Sequence, residues 1–301
     1  MWSKKMDSPA ITPTLKLYKV LHLEPTDVCQ ASCPACARET DPEFDKKQQH
    51  HLTVAQVRQH MSDDDIRGLD KMFMCGNYGD PAAGEHTMDL YNYFRSVNPD
   101  IVLGMNTNGA IRASTWWTLL GAMFNRPQDY VVFSIDGLED TNHIYRRGVT
   151  WHKIIDNARA FIDAGGSAHW DMLVYRHNEH QVDACERLAR QMGFRWFRAK
   201  VSKRPLFNNL EYPVTWDRLE HTPGRIDCHA LRESSVYIDA QGRISPCCWL
   251  GARQSNFVHD IQQVQATWAT NQPDVTCATT CTAQENITNF ESQWRKEVEL
   301  C

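Results

Sequence analysis

Six short apolar runs between Leu15 and Val201 alternate with stretches whose apolar residues recur at helical spacing, and this alternation constrains the fold more than any other feature. Leu15, Leu17, Leu21 and Leu23 stand at odd positions around Lys16 and His22, the period-two signature of a strand. Residues 71–74, 101–105, 130–137, 169–175 and 195–201 read as five further strands. Between them, Thr53 caps a helix with Val54, Val57 and Met61 on one face, and a second helix presents Met88, Tyr91 and Phe94. Trp117, Leu120 and Met123 stripe a helix over 114–124, Ile154, Ala158 and Phe161 one over 151–164, and a last helix covers 181–192. Successive βα units call for a parallel sheet, because parallel strands need crossovers and right-handed crossovers put the helices outside. The expected fold is α/β, a partial (β/α)6 TIM-like barrel over residues 1–205. Polar residues at its strand ends, such as Asn106, Ser134 and Asp136, should face a ligand-binding mouth.

Cys29, Cys33 and Cys36 follow the first strand directly, in a C-x3-C-x2-C loop. Three thiolates so spaced can converge on one iron–sulfur cluster and leave one iron without a protein ligand. Buried apolar cysteines, or a zinc site closed by a fourth ligand, are the alternatives. After the second strand, Cys75-Gly76-Asn77-Tyr78-Gly79-Asp80-Pro81 is a turn that permits close approach to a ligand, with an ordinary loop as the alternative.

Prolines interrupt the pattern after Val201, and residues 206–227 read as a linker to a small cysteine-rich α+β extension over 228–301. That extension holds a hairpin over 234–246 and Cys228, Cys247, Cys248, Cys277, Cys281 and Cys301. Cys75 and Cys185 read as inert core, Cys301 as a free thiol at a frayed end, and His50 and His51 as solvated, with metal ligation the alternative.

A net charge of −5 without long basic runs excludes extended nucleic-acid contact by phosphate neutralisation. No apolar run approaches the ~18–20 residues that span a bilayer, and no signal region opens the chain. A cytoplasmic location follows as the expectation, where clustered cysteines are metal ligands or reactive thiols rather than disulfides.

Together these residues resemble the radical S-adenosylmethionine (SAM) enzymes. The resemblance implies that Cys29, Cys33 and Cys36 hold a [4Fe–4S] cluster whose open iron takes the amino and carboxylate groups of SAM, and that reduction yields methionine and a 5′-deoxyadenosyl radical. Gly79-Asp80-Pro81 is similar to the family's Gly-Gly-Glu-Pro turn, making Gly76, Asn77, Tyr78, Gly79 and Asp80 candidate SAM contacts. Asn106 to Gly109 resembles its Thr-Asn-Gly end of strand three. Ser134-Ile135-Asp136-Gly137 with Arg147-Gly148 resembles its Ser-x-Asp-Gly…Arg-Gly segment, which adds Asn106, Ser134, Asp136 and Arg147 as SAM contacts. Ala35 replaces the aromatic usual before the third cysteine, and Tyr78 and Asp80 stand for Gly and Glu.

Cys228, thirteen residues, Gly242, four residues and Cys247 are similar to the opening of the family's SPASM and twitch extensions. This implies that Cys228, Cys247, Cys277 and Cys281 hold an auxiliary [4Fe–4S] cluster. The shorter twitch type is favoured, since a full SPASM extension needs about seven cysteines. Structural zinc is the alternative, and Cys247 is chosen over Cys248 on spacing alone.

The function expected from the resemblance is radical oxidoreductase-type chemistry, driven by a flavodoxin- or ferredoxin-like donor, on a small polar metabolite, with net oxidation or rearrangement. Arg146, Tyr175 and Arg176 are candidate catalytic residues. Modification of a peptide or protein side chain is a second expectation, ranked below because only about fourteen residues precede the first strand. A non-enzymatic iron–sulfur or zinc protein is the third.

Overall fold

The computed structural model describes residues 18–202, 206, 209–216, 226–251 and 261–281. Leu15 and Leu17, much of the expected linker, and Cys301 lie outside the described residues. Eight strands form one sheet: β1 Val20–Leu23, β2 Lys71–Met74, β3 Val102–Thr107, β4 Tyr130–Ser134, β5 Ala168–Val174, β6 Trp196–Val201, β7 Ser235–Ile238 and β8 Ile244–Ser245. Their order is β6-β5-β4-β3-β2-β1-β7-β8, with β1 to β6 parallel throughout. The sheet is the expected partial barrel, open rather than closed on itself. Because the six strands run the same way, their C-terminal ends share one edge.

Alternation divides the sheet into two faces. Leu21, Leu23, Met72, Met74, Leu103, Met105, Val131, Phe133, Trp170 and Met172 join the main core with the helices. Helix Thr87–Val97 contributes Tyr91 and Phe94 to that core, Ser114–Met123 contributes Trp117 and Leu120, and Trp151–Asp163 contributes Ile154, Ala158 and Phe161. The opposite face carries His22, Phe73, Tyr130, Val132, His169, Asp171, Arg198 and Lys200, where a small separate cluster of Tyr130, Val132 and Val102 forms. Its floor is aromatic. His22 stacks on Phe73 at 4.3 Å, Tyr130 on His169 at 5.4 Å, and Lys71 Nζ lies 4.9 Å from the Tyr130 ring centre.

The helix expected to run from Thr53 to Met61 stops at Arg58, and a second short helix begins beyond it at Asp63. Thr53 and Gln56 close a capping box on Val54–Arg58, and Ser62 with Asp65 closes another on Asp63–Arg67. His50 and His51 are half-buried rather than solvated. His50 Nδ1 pairs with Asp27 Oδ2 at 2.6 Å, and Thr26 bridges to His51, so residues 50–52 latch onto the stretch leading to the cysteine loop.

The hairpin forms as expected, β7 antiparallel to β8. Its position was not foreseen: β7 also pairs in parallel with β1, Val20 opposite Ser235 through Leu23 opposite Ile238, and so extends the barrel sheet. None of the described helices is long and apolar enough to cross a membrane.

Candidate active site

The loop after β1 carries Cys29, Cys33 and Cys36 to the C-terminal edge of the sheet, where neighbouring strand ends grip it. The Asn77 carbonyl, after β2, accepts from Cys36 Sγ at 3.7 Å. Asn108, just past β3, donates from Nδ2 to Cys29 Sγ at 3.6 Å and accepts from Gln30 Nε2 at 2.7 Å. Ser32 N donates to the Arg147 carbonyl at 2.9 Å. Two glycines permit this closeness: a Cβ on Gly79 would lie 1.9 Å from the Thr26 carbonyl oxygen, and one on Gly148 (φ +78°) would lie 2.8 Å from that of Gln30.

Asp80 fastens the β2 turn to the end of β3. Its Oδ1 accepts from Ala82 N at 3.0 Å and Thr107 Oγ1 at 2.8 Å, and its Oδ2 from Asn108 N at 2.7 Å. Burial raises its pKa against those donors, and both oxygens are engaged within the protein. Gly76, Asn77 and Gly79 are partly open around it, and Tyr78 is buried with its hydroxyl donating to Asp41 at 2.7 Å. At the end of β3, Asn106 Oδ1 is buried with no hydrogen-bond partner, an acceptor available to a ligand's donor. Ser134 is half-buried at the end of β4.

Burial pushes the Cys29 thiol up to about 12 and the Cys33 thiol up to about 11, the latter against the pull of Arg146. Thiols so placed need a cationic partner to ionise, and iron is one. Among the described residues no three His, Cys, Asp or Glu side chains are drawn together tightly enough to chelate a single ion. Thiolates that share a cluster each bind a different iron and need no such convergence.

Arg146, rather than its neighbour, sends its guanidinium inward. Its Nε meets Asp136 Oδ2 at 2.5 Å, and Asp136 Oδ1 accepts from Leu173 N at 2.6 Å. Burial opposes the Arg146 charge, but Asp136 and Cys33 hold it. Arg147 is exposed and offers the cysteine loop its carbonyl. Tyr175 is buried, 4.9 Å from the Tyr145 ring and stacked on His177 at 5.5 Å, with Asp136 near enough to help raise its pKa after burial. Arg176 stands apart, exposed and paired with Glu211 at 3.4 Å.

A neighbouring group was missed in the sequence. Asp171 on β5 accepts from Arg198 Nε at 2.7 Å and pairs with Lys200 Nζ at 2.8 Å, both on β6. Burial pushes the Asp171 carboxyl up, yet Lys200 and Arg198 outweigh it and hold the group well below the usual range. The signal was charge at alternate positions of two strands in a parallel sheet, where such strands normally read as apolar.

On the hairpin side, the Cys247 and Cys281 thiols are pushed up to about 11 and about 12, by burial first and then by their neighbours among Cys228, Cys277 and each other. Cys248 turns the other way, its thiol beside Cys75 and Glu24 and its carbonyl accepting from Asn77 Nδ2 at 2.9 Å. Cys75 is half-buried in that group rather than core, whereas Cys185 is fully buried. Glu24 is buried beneath the turn. Its Oε1 accepts from Tyr78 N at 2.7 Å and Gly79 N at 3.1 Å, and its Oε2 from the Tyr237 hydroxyl of β7.

The family model of the radical SAM superfamily matches residues 23–189, which span β1 to the helix before β6. The chain belongs to the radical SAM superfamily. Radical SAM proteins use SAM and a [4Fe–4S] cluster, and the donor set on the β1 loop fits that pair. None of the curated proteins matches the chain. Among solved structures, Streptococcus suis SuiB bound to SAM is similar at 15% identity and a TM-score of 0.58, over 87% of this chain and 67% of that one. SuiB bound to its precursor peptide SuiA gives 14% and 0.59, over 90% and 69%. A histidine-tagged anSMEcpe with bound AdoMet gives 17% and 0.50, over 64% and 53%. At such identities the likeness is one of fold. This radical SAM chain spans about two thirds of SuiB and about half of anSMEcpe.

Proposed function

We propose that this radical SAM protein is an enzyme that cleaves SAM reductively at Cys29, Cys33 and Cys36 and removes hydrogen from a polar substrate held at the C-terminal edge of its sheet. The observation that carries the reading is the grip on the cysteine loop of two strand ends, through Asn77 after β2 and Asn108 after β3, together with Arg147 just past the helix Glu139–Tyr145. A [4Fe–4S] cluster with SAM on its open iron supplies one-electron cleavage and a 5′-deoxyadenosyl radical. The chain's own part is placement. The Gly76–Asp80 turn brings backbone carbonyls beside the cysteine loop, and carbonyls suit the ammonium of an amino-acid ligand. Asn106 Oδ1 and the Ser134 hydroxyl offer polar atoms at the strand ends, and the Asp136–Arg146 pair fixes the ground beside Cys33. Preorganised groups of this kind cost no reorganisation when the reaction occurs.

Cys228, Cys247, Cys277 and Cys281 would hold an auxiliary [4Fe–4S] cluster, which would supply one-electron redox chemistry for a net oxidation. An electron donor of flavodoxin or ferredoxin type and a reducing, cytoplasmic setting complete the reading. A small polar metabolite suits the charged group of Asp171, Arg198 and Lys200 on the face opposite the helices. A peptide is the second reading, supported by the fold match to SuiB bound to SuiA.

Anaerobically reconstituted protein with SAM and dithionite should yield 5′-deoxyadenosine and methionine, and Cys29→Ala, Cys33→Ala or Cys36→Ala should abolish both. Absence of deoxyadenosine from the wild type would sink the reading and favour an electron carrier or scaffold.

A further inference from the structure

We infer that the face of β5 and β6 opposite the helices binds a carboxylate of the substrate, with Lys200 as the contacting group and Asp171 and Arg198 as the residues that hold it in place. The inference rests on the proposed function and names the chemistry of its substrate. Trp170, Met172 and Phe197 turn to the helix-side core, so His169, Asp171, Arg198 and Lys200 belong to the opposite face, where the first three are buried and Lys200 is partly exposed. There two cations share one carboxylate. The Lys200 side chain is 40% exposed while that of Asp171 is 11%, so the ammonium sits where the acid opens to the mouth.

An ion cluster kept only for stability is a poor explanation. Taking charges out of water costs several kcal/mol per ion, and apolar residues of similar volume serve a core as well or better. An ammonium has three donors, and Asp171 takes one of those on Lys200. The two others match the two oxygens and single charge of a carboxylate, whereas a phosphate dianion asks for more donors and more charge. Position supports the same end. Leu173, which stands opposite Lys200 in the β5–β6 pairing, donates from N to Asp136 Oδ1 at 2.6 Å, and Asp136 pairs with Arg146 beside Cys33, so the cluster adjoins the region where hydrogen would be removed. Burial lowers the Lys200 pKa against the pull of Asp171, and a second carboxylate would restore the ammonium.

Two measurements on the reconstituted protein test this. In the first, lysines are acetylated with a sulfo-NHS ester and Lys200 is followed by peptide mass spectrometry in acetate, acetamide or inorganic phosphate. Acetate should slow modification of Lys200 while acetamide does not. Equal rates in the two, or protection by phosphate alone, would overturn the proposal. In the second, cell extract is separated on an anion exchanger and each fraction is tested for stimulation of deoxyadenosine formation. Stimulation should reside in the retained, acidic material. Lys200→Gln should raise the amount needed for half-stimulation by about ten- to a hundredfold, the loss of a hydrogen bond to a charged group, and Lys200→Arg should recover most of it. Stimulation confined to unretained material, or an unchanged requirement in Lys200→Gln, counts against the site. Should deoxyadenosine fail to form at all while acetate still protects Lys200, the enzymatic reading falls and the carboxylate site stands. A small acid and an acidic peptide are told apart by the mass of the stimulating material.

Discussion

Glu24 is the buried acid on which the junction between the β2 turn and β7 rests, and its replacement by glutamine has a calculable consequence. Burial raises its pKa from 4.5 to about 7, although Tyr237, Tyr78 and Gly79 all donate to it. The folded protein therefore holds that proton more tightly than the unfolded chain does. Its contribution to stability is complete below pH 4.5 and is lost as pH climbs through about 7. That difference between the folded and unfolded chain corresponds to about 3.4 kcal/mol, of which about 2.5 kcal/mol falls between pH 5 and pH 8. Glutamine keeps an oxygen for Tyr78 N and Gly79 N and presents its amide to the Tyr237 oxygen, so the change removes ionisation with little change of shape. Glu24→Gln should gain about 2.5 kcal/mol relative to wild type on going from pH 5 to pH 8, several degrees in Tm for a chain of this size. Denaturant titrations of both proteins at the two pH values measure it, and taking the difference cancels His22 and His169, whose buried rings also titrate. A difference that stays flat with pH would show that Glu24 is ionised throughout the range and that the three donors outweigh its burial.

Gly79→Ala should weaken SAM binding at least tenfold or prevent folding, because its methyl group would need the space of the Thr26 carbonyl; equilibrium dialysis of labelled SAM and circular dichroism separate the two outcomes. Cys247→Ser should lower bound iron from about eight to about four per chain while Cys248→Ser leaves it near eight, as read by iron analysis and Mössbauer spectroscopy. The reverse pattern would reassign the auxiliary ligand. Arg146→Met should cost about 3–5 kcal/mol by leaving Asp136 buried and unpaired, and the double variant Arg146→Met/Asp136→Asn should recover much of it in urea titrations.

The order of strands and helices was legible because each strand is a short apolar or alternating run and each long helix shows its stripe, signals that depend on near neighbours in the chain. The cysteine loop and the polar strand ends were legible for a related reason, since each sits at a boundary that the periodicity marks. What escaped was non-local. The pairing of β7 with β1 joins Glu24 to Tyr237 across 213 residues, and no local pattern announces a contact at that range. The division of labour between Arg146 and Arg147 was likewise hidden, because adjacent residues are told apart only by which one the backbone turns inward. The choice between Cys247 and Cys248 had the same character, with spacing for the first and nothing yet known of where the second pointed.

That distant pairing changes how the two cysteine groups relate. With β7 beside β1, the hairpin lies against the β2 turn, and Asn77 serves both sides: its carbonyl accepts from Cys36, and its side chain donates to the Cys248 carbonyl and, at 3.2 Å, to the Tyr237 hydroxyl. Cys248 is bonded in sequence to Cys247, whose thiol lies near enough to Cys228 and Cys277 to be influenced by them and itself influences Cys281. One residue of the turn therefore connects the first cysteine loop to the second group through two hydrogen bonds and one peptide unit. This is the physical reason that Glu24, which binds the next two backbone N–H groups of the same turn, sits where a change of charge is felt on both sides.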